Sequence, residues 1–188
     1  MMKRGIDDLN ILEKFAVDFT KVVEKYAKYI IVSGFVAISH GRSRATEDID
    51  MIIEKVSKEQ FKKMHDELIE SGFECQQSDN PNVIYDDYLN DKLSVRYTRK
   101  GEPLPEMKLK FAKDELDALQ FSTRQKLPFT GTDLWFSSID INIAFKEELL
   151  KSEKDLEDAK HLRLIYKDKV NEEFINKIKK MIKQMRLR

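Results

Sequence analysis

Asp48-Ile49-Asp50 heads the apolar run Met51-Ile52-Ile53. Side chains alternate along a strand, so the two carboxylates share one face and Ile49 points to the other, into a core. Two ionised carboxylates that close repel each other, and a cation between them resolves the repulsion. Oxygen-only ligands suit Mg²⁺ or Mn²⁺, and a phosphate can complete the shell. Strand-end acids can equally stand in water or pair with Arg42 or Arg44, so the upstream sequence decides. There Gly34 follows the apolar run Tyr29–Val32 and opens the short run Phe35–His40. A residue without a side chain lets a phosphate approach the backbone, and a following helix N-terminus supplies N–H donors. Ser33 adds a hydroxyl. Tight strand–helix packing is the other reading of Gly34, and a phosphate cradle needs that packing too. A phosphate cradle beside an acid pair suits a nucleoside triphosphate with its divalent ion.

The elements that must position these residues follow from periodicity. Leu9, Leu12, Phe15, Phe19, Val22 and Tyr26 recur at helical spacing, predicting a helix over 7–26. Tyr29–Val32 reads as a buried strand, Phe35–His40 as a helix closed by Gly41, and Ile49–Glu54 as a second strand. Ser57-Lys58-Glu59-Gln60 reads as a capping box opening a helix with Phe61, Met64, Leu68 and Ile69 inward, stopped by Gly72. A strand is expected around Phe73 and a turn at Asn80-Pro81-Asn82. Leu93–Arg99 and Met107–Phe111 alternate like the strands of a hairpin. Lys113–Phe121 fits either a helix or a bulged strand. From Ile139 the pattern is helical, with one stripe of Leu156, Ala159, Leu162 and Ile165/Tyr166 and another of Phe174, Ile178, Met181, Ile182 and Met185. The expected fold is α+β: a mixed sheet flanked by helices over 1–138, with a helical part over 139–188 packed on it.

Composition narrows the partners. Lys+Arg and Asp+Glu both number 34, so no net basic charge drives nonspecific nucleic-acid binding. The segment Lys177–Arg188 is basic throughout and reads as a solvated helix face. A lone Cys75 fits a reducing compartment, and the start MMKRGIDDLN lacks the apolar core of a secretory signal, so a cytoplasmic protein without a membrane partner is expected. The three histidines and Cys75 have no zinc-site spacing, and no Walker, Rossmann or nucleophile-elbow motif occurs.

The stretch VSGFVAISHGRSRATEDIDMII resembles the signature of the polymerase-beta-like nucleotidyltransferase superfamily, in particular small prokaryotic enzymes of the abortive-infection toxin type. Ser33-Gly34-Phe35-Val36-Ala37, His40-Gly41, Arg44, Thr46 and Asp48-Ile49-Asp50 carry the likeness. Ser33 departs from it, since a first glycine is usual there. IAFKEELLKSEKDLEDAKHL resembles the later motif, a helical lysine followed by K-D-x-x-D. The resemblance implies Mg²⁺ or Mn²⁺ at Asp48 and Asp50, triphosphate contacts from Ser33, Gly34, Arg44 and Lys146, and Lys154, Asp155 and Asp158 beside the site. Asp48, Asp50 and Asp158 would be the catalytic acids.

Family members usually place a third acid on a later strand. Glu106 and Asp140 are candidates here, and its absence is a third possibility, with Asp158 in its stead. An ordinary charged helix surface is the alternative for Lys146 to Asp158. On these readings Lys146 is an exposed cation, His40 a packing or capping residue, and Arg42 a phosphate clamp or a partner of Glu47 or Asp48. Trp135 with Phe129 and Phe136 is either a base-stacking platform or core. The function expected is transfer of a nucleoside monophosphate from an NTP to a hydroxyl of a protein, RNA or small molecule. The alternatives are a catalytically inactive nucleotide-binding or interaction protein of the same fold, and a toxin paired with a protein antitoxin.

Overall fold

The computed structural model describes residues 9–43 and 46–187. Helix α1 (Ile11–Val23) is opened by a full capping box between Asn10 and Glu13. Strand β1 (Tyr29–Val32) leads into the short α2 (Gly34–Ser39), and β2 (Asp48–Ile53) returns antiparallel beside β1. Helix α3 (Lys58–Glu70) and β3 (Phe73–Cys75) follow, then α4 (Pro81–Val83), which widens into a π-helical turn over Ile84–Leu89. The hairpin β4 (Val95–Arg99) and β5 (Glu106–Phe111) comes next, then α5 (Glu115–Ser122) and the two-residue strands β6 (Gln125–Lys126) and β7 (Trp135–Phe136). Three helices complete the chain: α6 (Ile139–Phe145) with a π-helical extension Lys146–Leu150, α7 (Glu153–Ile165) and α8 (Glu172–Arg186).

The strands form one mixed sheet in the order β3-β4-β5-β2-β1-β7-β6. Alternation gives it two different faces. Ile31, Met51, Leu109 and Tyr97 belong to one face, wholly buried under α1 and α3. Phe19 packs edge-on against Phe73, Phe61 edge-on against Phe111, and His65 bonds the Tyr97 hydroxyl at 2.9 Å. The other face carries Val32, Asp50, Ile52, Lys108 and Lys110 in register and is roofed by α5, α6 and α8. The apolar face makes the core and the polar face is left for a site.

Several local expectations change. Asn80-Pro81-Asn82 begins a helix, because Asn80 accepts the Asn82 N–H while Pro81 takes the first helical position, where its missing donor costs nothing. Only half of the Ser57 capping box forms: Ser57 Oγ accepts the Gln60 N–H, but the Gln60 amide donates to the Tyr26 carbonyl instead of turning back. Ile69, Leu156 and Met185 are exposed rather than inward, and His65 and Asp158 occupy buried positions on their helices. The segment after Lys113 is helix α5, with Asp114 as its cap.

Helix α8 is tied to α5 by Arg186, which donates to Asp114 at 2.7 and 2.9 Å and to buried Asp117 at 2.9 Å. Removing the guanidinium takes the charged donor from buried Asp117, leaving it the Lys113 N–H at 3.0 Å and the Gln120 amide at 3.1 Å. Arg186→Ala should therefore cost roughly 2–3 kcal/mol, the scale of hydrogen bonds to charged groups. Urea unfolding checks this, and a loss below about 0.5 kcal/mol would show that α8 is held by Ile175, Ile178 and Ile182 alone.

Candidate active site

Antiparallel pairing sets Val32 opposite Asp50, which brings Ser33 and Gly34 to the acid pair. Ser33 has φ 67° and ψ −139°, a conformation that favours glycine, so serine holds the turn under strain. Gly41, at φ 85°, closes α2 as the spacing predicts.

Asp48 and Asp50 lie on the same sheet face, as alternation requires. Burial raises the proton affinity of Asp48, but hydrogen bonds from Lys108 and from Thr46, the latter at 3.1 Å, outweigh it and hold the carboxyl below its usual range. Asp50 goes the other way. Its burial and the charge of Asp48 raise it above the usual carboxylate range, against Lys108, Ser33 and Lys110. One acid of the pair is thus compensated within the protein and the other is not, and a cation at Asp50 would relieve the imbalance.

Lys146 is nearly fully buried, 1% exposed, not the exposed cation expected. Its Nζ donates to Asp158 Oδ2 at 2.9 Å and lies 3.5 Å from Asp155 Oδ1. Asp158, also fully buried, accepts from Arg42 Nε at 2.6 Å. Arg42 pairs with Asp158 and Glu157 on α7, not with Glu47 or Asp48. Asp158 therefore holds Lys146 and Arg42 together from the interior rather than offering a free carboxylate to a ligand. Arg44 lies outside the described residues.

His40 is a packing residue: Nδ1 bonds the Val36 carbonyl at 2.6 Å and Nε2 the Tyr166 hydroxyl at 2.7 Å. Burial, first among the causes, lowers its pKa. Trp135, Phe129 and Phe136 do not form one platform. Arg124 stacks over Trp135 at 4.3 Å, Phe129 lies against Tyr166, and Phe136 against Phe35.

Each acid of the pair borders a different cavity. A narrow one of about 180 Å³ is lined by Ser33, Asp50, Asn142, Phe145 and Lys146. A wider polar one of about 470 Å³ is lined by Thr46, Asp48, Glu106, Lys108 and Lys154. So Ser33, Asp50 and Lys146 gather on one side, and Asp48 and exposed Lys154 on the other.

The third-acid candidates resolve differently. Asp140 accepts the Asn171 N–H at 3.1 Å and lines a separate cavity with Tyr166. Glu106 pairs in register with Asp48, but Lys108 stands opposite Asp50. Among the described residues no group of three His, Cys, Asp or Glu side chains could hold a metal ion. The donor set fits one oxygen-coordinated ion at Asp48 and Asp50, provided other ligands come from a bound phosphate or water. Lys108 and Lys110 stand in the sequence where a third acid might be wanted, but Lys108 was given no role in the site, although the alternation in Glu106-Met107-Lys108-Leu109-Lys110 puts it on the polar face.

No protein-family model and no curated protein sequence matches the chain. Solved structures do. The antibiotic-resistance factor ANT(2'')-Ia in its solution structure has 12% identity over 92% of this chain and 91% of that one, with a TM-score of 0.55. Its crystal structure with adenylyl-2''-tobramycin has 13% identity over 93% and 98%, with a TM-score of 0.55. An antigenic nucleotidyltransferase-like protein from Paracoccidioides brasiliensis has 16% identity over 95% and 91%, with a TM-score of 0.53. At these identities the likeness is one of architecture, and over nearly its whole length the chain has the nucleotidyltransferase-like fold.

Proposed function

We propose that the protein is a nucleotidyltransferase that moves a nucleoside monophosphate from an NTP to a hydroxyl acceptor. The observation that carries this is Asp48 and Asp50 on one face of β2, with Ser33, Asp50 and Lys146 lining one cavity beside it, within that fold. Asp48 and Asp50 hold Mg²⁺ or Mn²⁺, which when bound neutralises phosphate charge and aligns the triphosphate. Ser33 and Gly34 present hydroxyl and backbone to the phosphates. Lys146, oriented by Asp158, faces the narrow cavity as a charge-assisted donor for the triphosphate. Exposed Lys154 adds positive charge at the rim of the wide cavity. The acceptor oxygen bonds to the α-phosphorus as the α–β bridge breaks, pyrophosphate leaves, and the hydroxyl proton passes to solvent. A structural neighbour, ANT(2'')-Ia, was crystallised in complex with adenylyl-2''-tobramycin, which supports nucleotidyl transfer as the reading of this fold.

Incubating the chain with each α-labelled NTP, Mg²⁺ and a cell extract should label an acceptor, and Asp50→Asn should abolish the label. Equal NTP affinity with Mg²⁺ and with a chelator, measured by calorimetry, would defeat the proposal. The toxin-type resemblance extends it to a growth-arresting enzyme acting on RNA or protein and neutralised by an antitoxin protein. Expression of wild type but not of Asp50→Asn should then stop growth. Lys108 opposite Asp50 favours a second reading, metal-dependent NTP binding without transfer, which the same labelling experiment separates.

A further inference from the structure

In the parallel pairing of β2 with β5, Asp48 stands across from Glu106 and Asp50 across from Lys108. The Lys108 ammonium donates to Asp48 Oδ2 and lies 3.7 Å from Glu106 Oε1. On the next strand Arg96, in register with Lys108, holds the same Glu106 oxygen at 3.3 Å. Glu106 is thus shared by two protein cations, and positive charge already stands between the carboxylates of β2 and β5. An ammonium has donors and no lone pair, so it satisfies carboxylates but cannot join a metal shell. It competes with any ion that needs Asp48 Oδ2.

We propose that Lys108 is a resident cation of this site: it takes the place of a second divalent ion, so the chain binds a single ion at Asp48 and Asp50, and that ion must displace Lys108 from Asp48. The side chain is 28% exposed and borders the wide cavity, so it has room to swing away on its flexible stem. Once released, its charge faces whatever anionic group that cavity admits. Under the nucleotidyltransferase reading, on which this last step rests, that group is a phosphate of the nucleotide or acceptor. The competition at Asp48 rests on the geometry alone.

Mn²⁺ titration, with free ion followed by electron paramagnetic resonance, tests it. In Mn²⁺ alone, Lys108→Met and Lys108→Gln should bind the ion about tenfold more tightly than wild type, since removal of a nearby like charge lowers the cost of bringing the ion in. With an α,β-methylene NTP, wild type should bind one protein-held ion and Lys108→Asp two. Unchanged Mn²⁺ affinity in both neutral variants, each shown folded by circular dichroism, overturns the proposal, as do two protein-held ions in wild type. The nucleotidyltransferase reading fails separately, through a wild type that shows no metal-dependent affinity for the analogue.

Discussion

Lys146→Met should lower the melting temperature by roughly 6–12 °C. The side chain is 1% exposed and bonded to an aspartate that is 0% exposed. Removing one partner of a buried ion pair leaves the other charge in the interior, which costs about 3–5 kcal/mol. Arg42 still holds Asp158 at 2.6 Å, so the low end, about 3 kcal/mol, applies here. For a chain of this length each kcal/mol shifts the midpoint by about 2–4 °C. Lys154→Met is the control, an exposed lysine that borders the wide cavity, and should change stability by no more than about 0.5 kcal/mol. Calorimetric scans of the two variants decide the matter. A midpoint within about a degree of wild type would return Lys146 to the role of a dispensable surface charge. If Lys146 contacts a triphosphate, as proposed, Asp158 buried behind it orients the ammonium before ligand arrives, which would reduce the ordering cost of binding.

What the sequence disclosed depended on the range of the interactions. Asp48 and Asp50 on one face, Gly41 closing α2 and the β4–β5 hairpin are consequences of local periodicity and backbone preference, which a few neighbouring residues determine. Lys146 was misread because a lysine in a charged stretch is ordinarily exposed. Its burial requires α7 to fold back so that Asp158 meets it, with Arg42 from the turn after α2 bonding the other oxygen of the same aspartate. No spacing within one helix encodes that. Asn80-Pro81-Asn82 reads as a turn but starts a helix, because asparagine and proline serve a turn and a helix start by the same local geometry.

The third acid shows the limit in a different way. Alternation alone puts Glu106, Lys108 and Lys110 on one strand face. It does not say which of them stands beside the acid pair, because register between strands distant in sequence is set by packing. Met107, Leu109 and Phe111 must meet the same buried layer as Ile49, Met51 and Ile53, and the observed register does this pairwise. The cost of filling that core with matched apolar residues is that Lys108, not Glu106, is placed opposite Asp50.

Asp50→Asn should make the ligand-free protein more stable while removing its activity. Burial first, and then the charge of Asp48, raise the Asp50 pKa above its unfolded value. The sign follows from linkage. With a folded pKa above the unfolded one, the folded state binds the proton more tightly. Its stability is greatest below the unfolded pKa, falls as pH rises towards the folded pKa, and stays at the lower level beyond it. At neutral pH Asp50 therefore weakens the fold, and a neutral side chain of the same shape relieves that. The variant should melt above wild type at pH 7 without metal, and the gap should narrow on acidification. Under the proposed function Mg²⁺ with NTP should reverse the order, because only the wild type would gain stability from the bound ligands. Transfer should fall by about a thousandfold or more, since metal stabilisation of phosphoryl charge is worth several kcal/mol and each 1.36 kcal/mol is tenfold in rate. Thermal scans at pH 5 and pH 7, with and without Mg²⁺ and NTP, check each step. A ligand-free variant that melts below wild type would make Asp50 a structural acid. A carboxylate that costs stability until a cation arrives would have the energetics of a binding residue, and that is the outcome these scans test for Asp50.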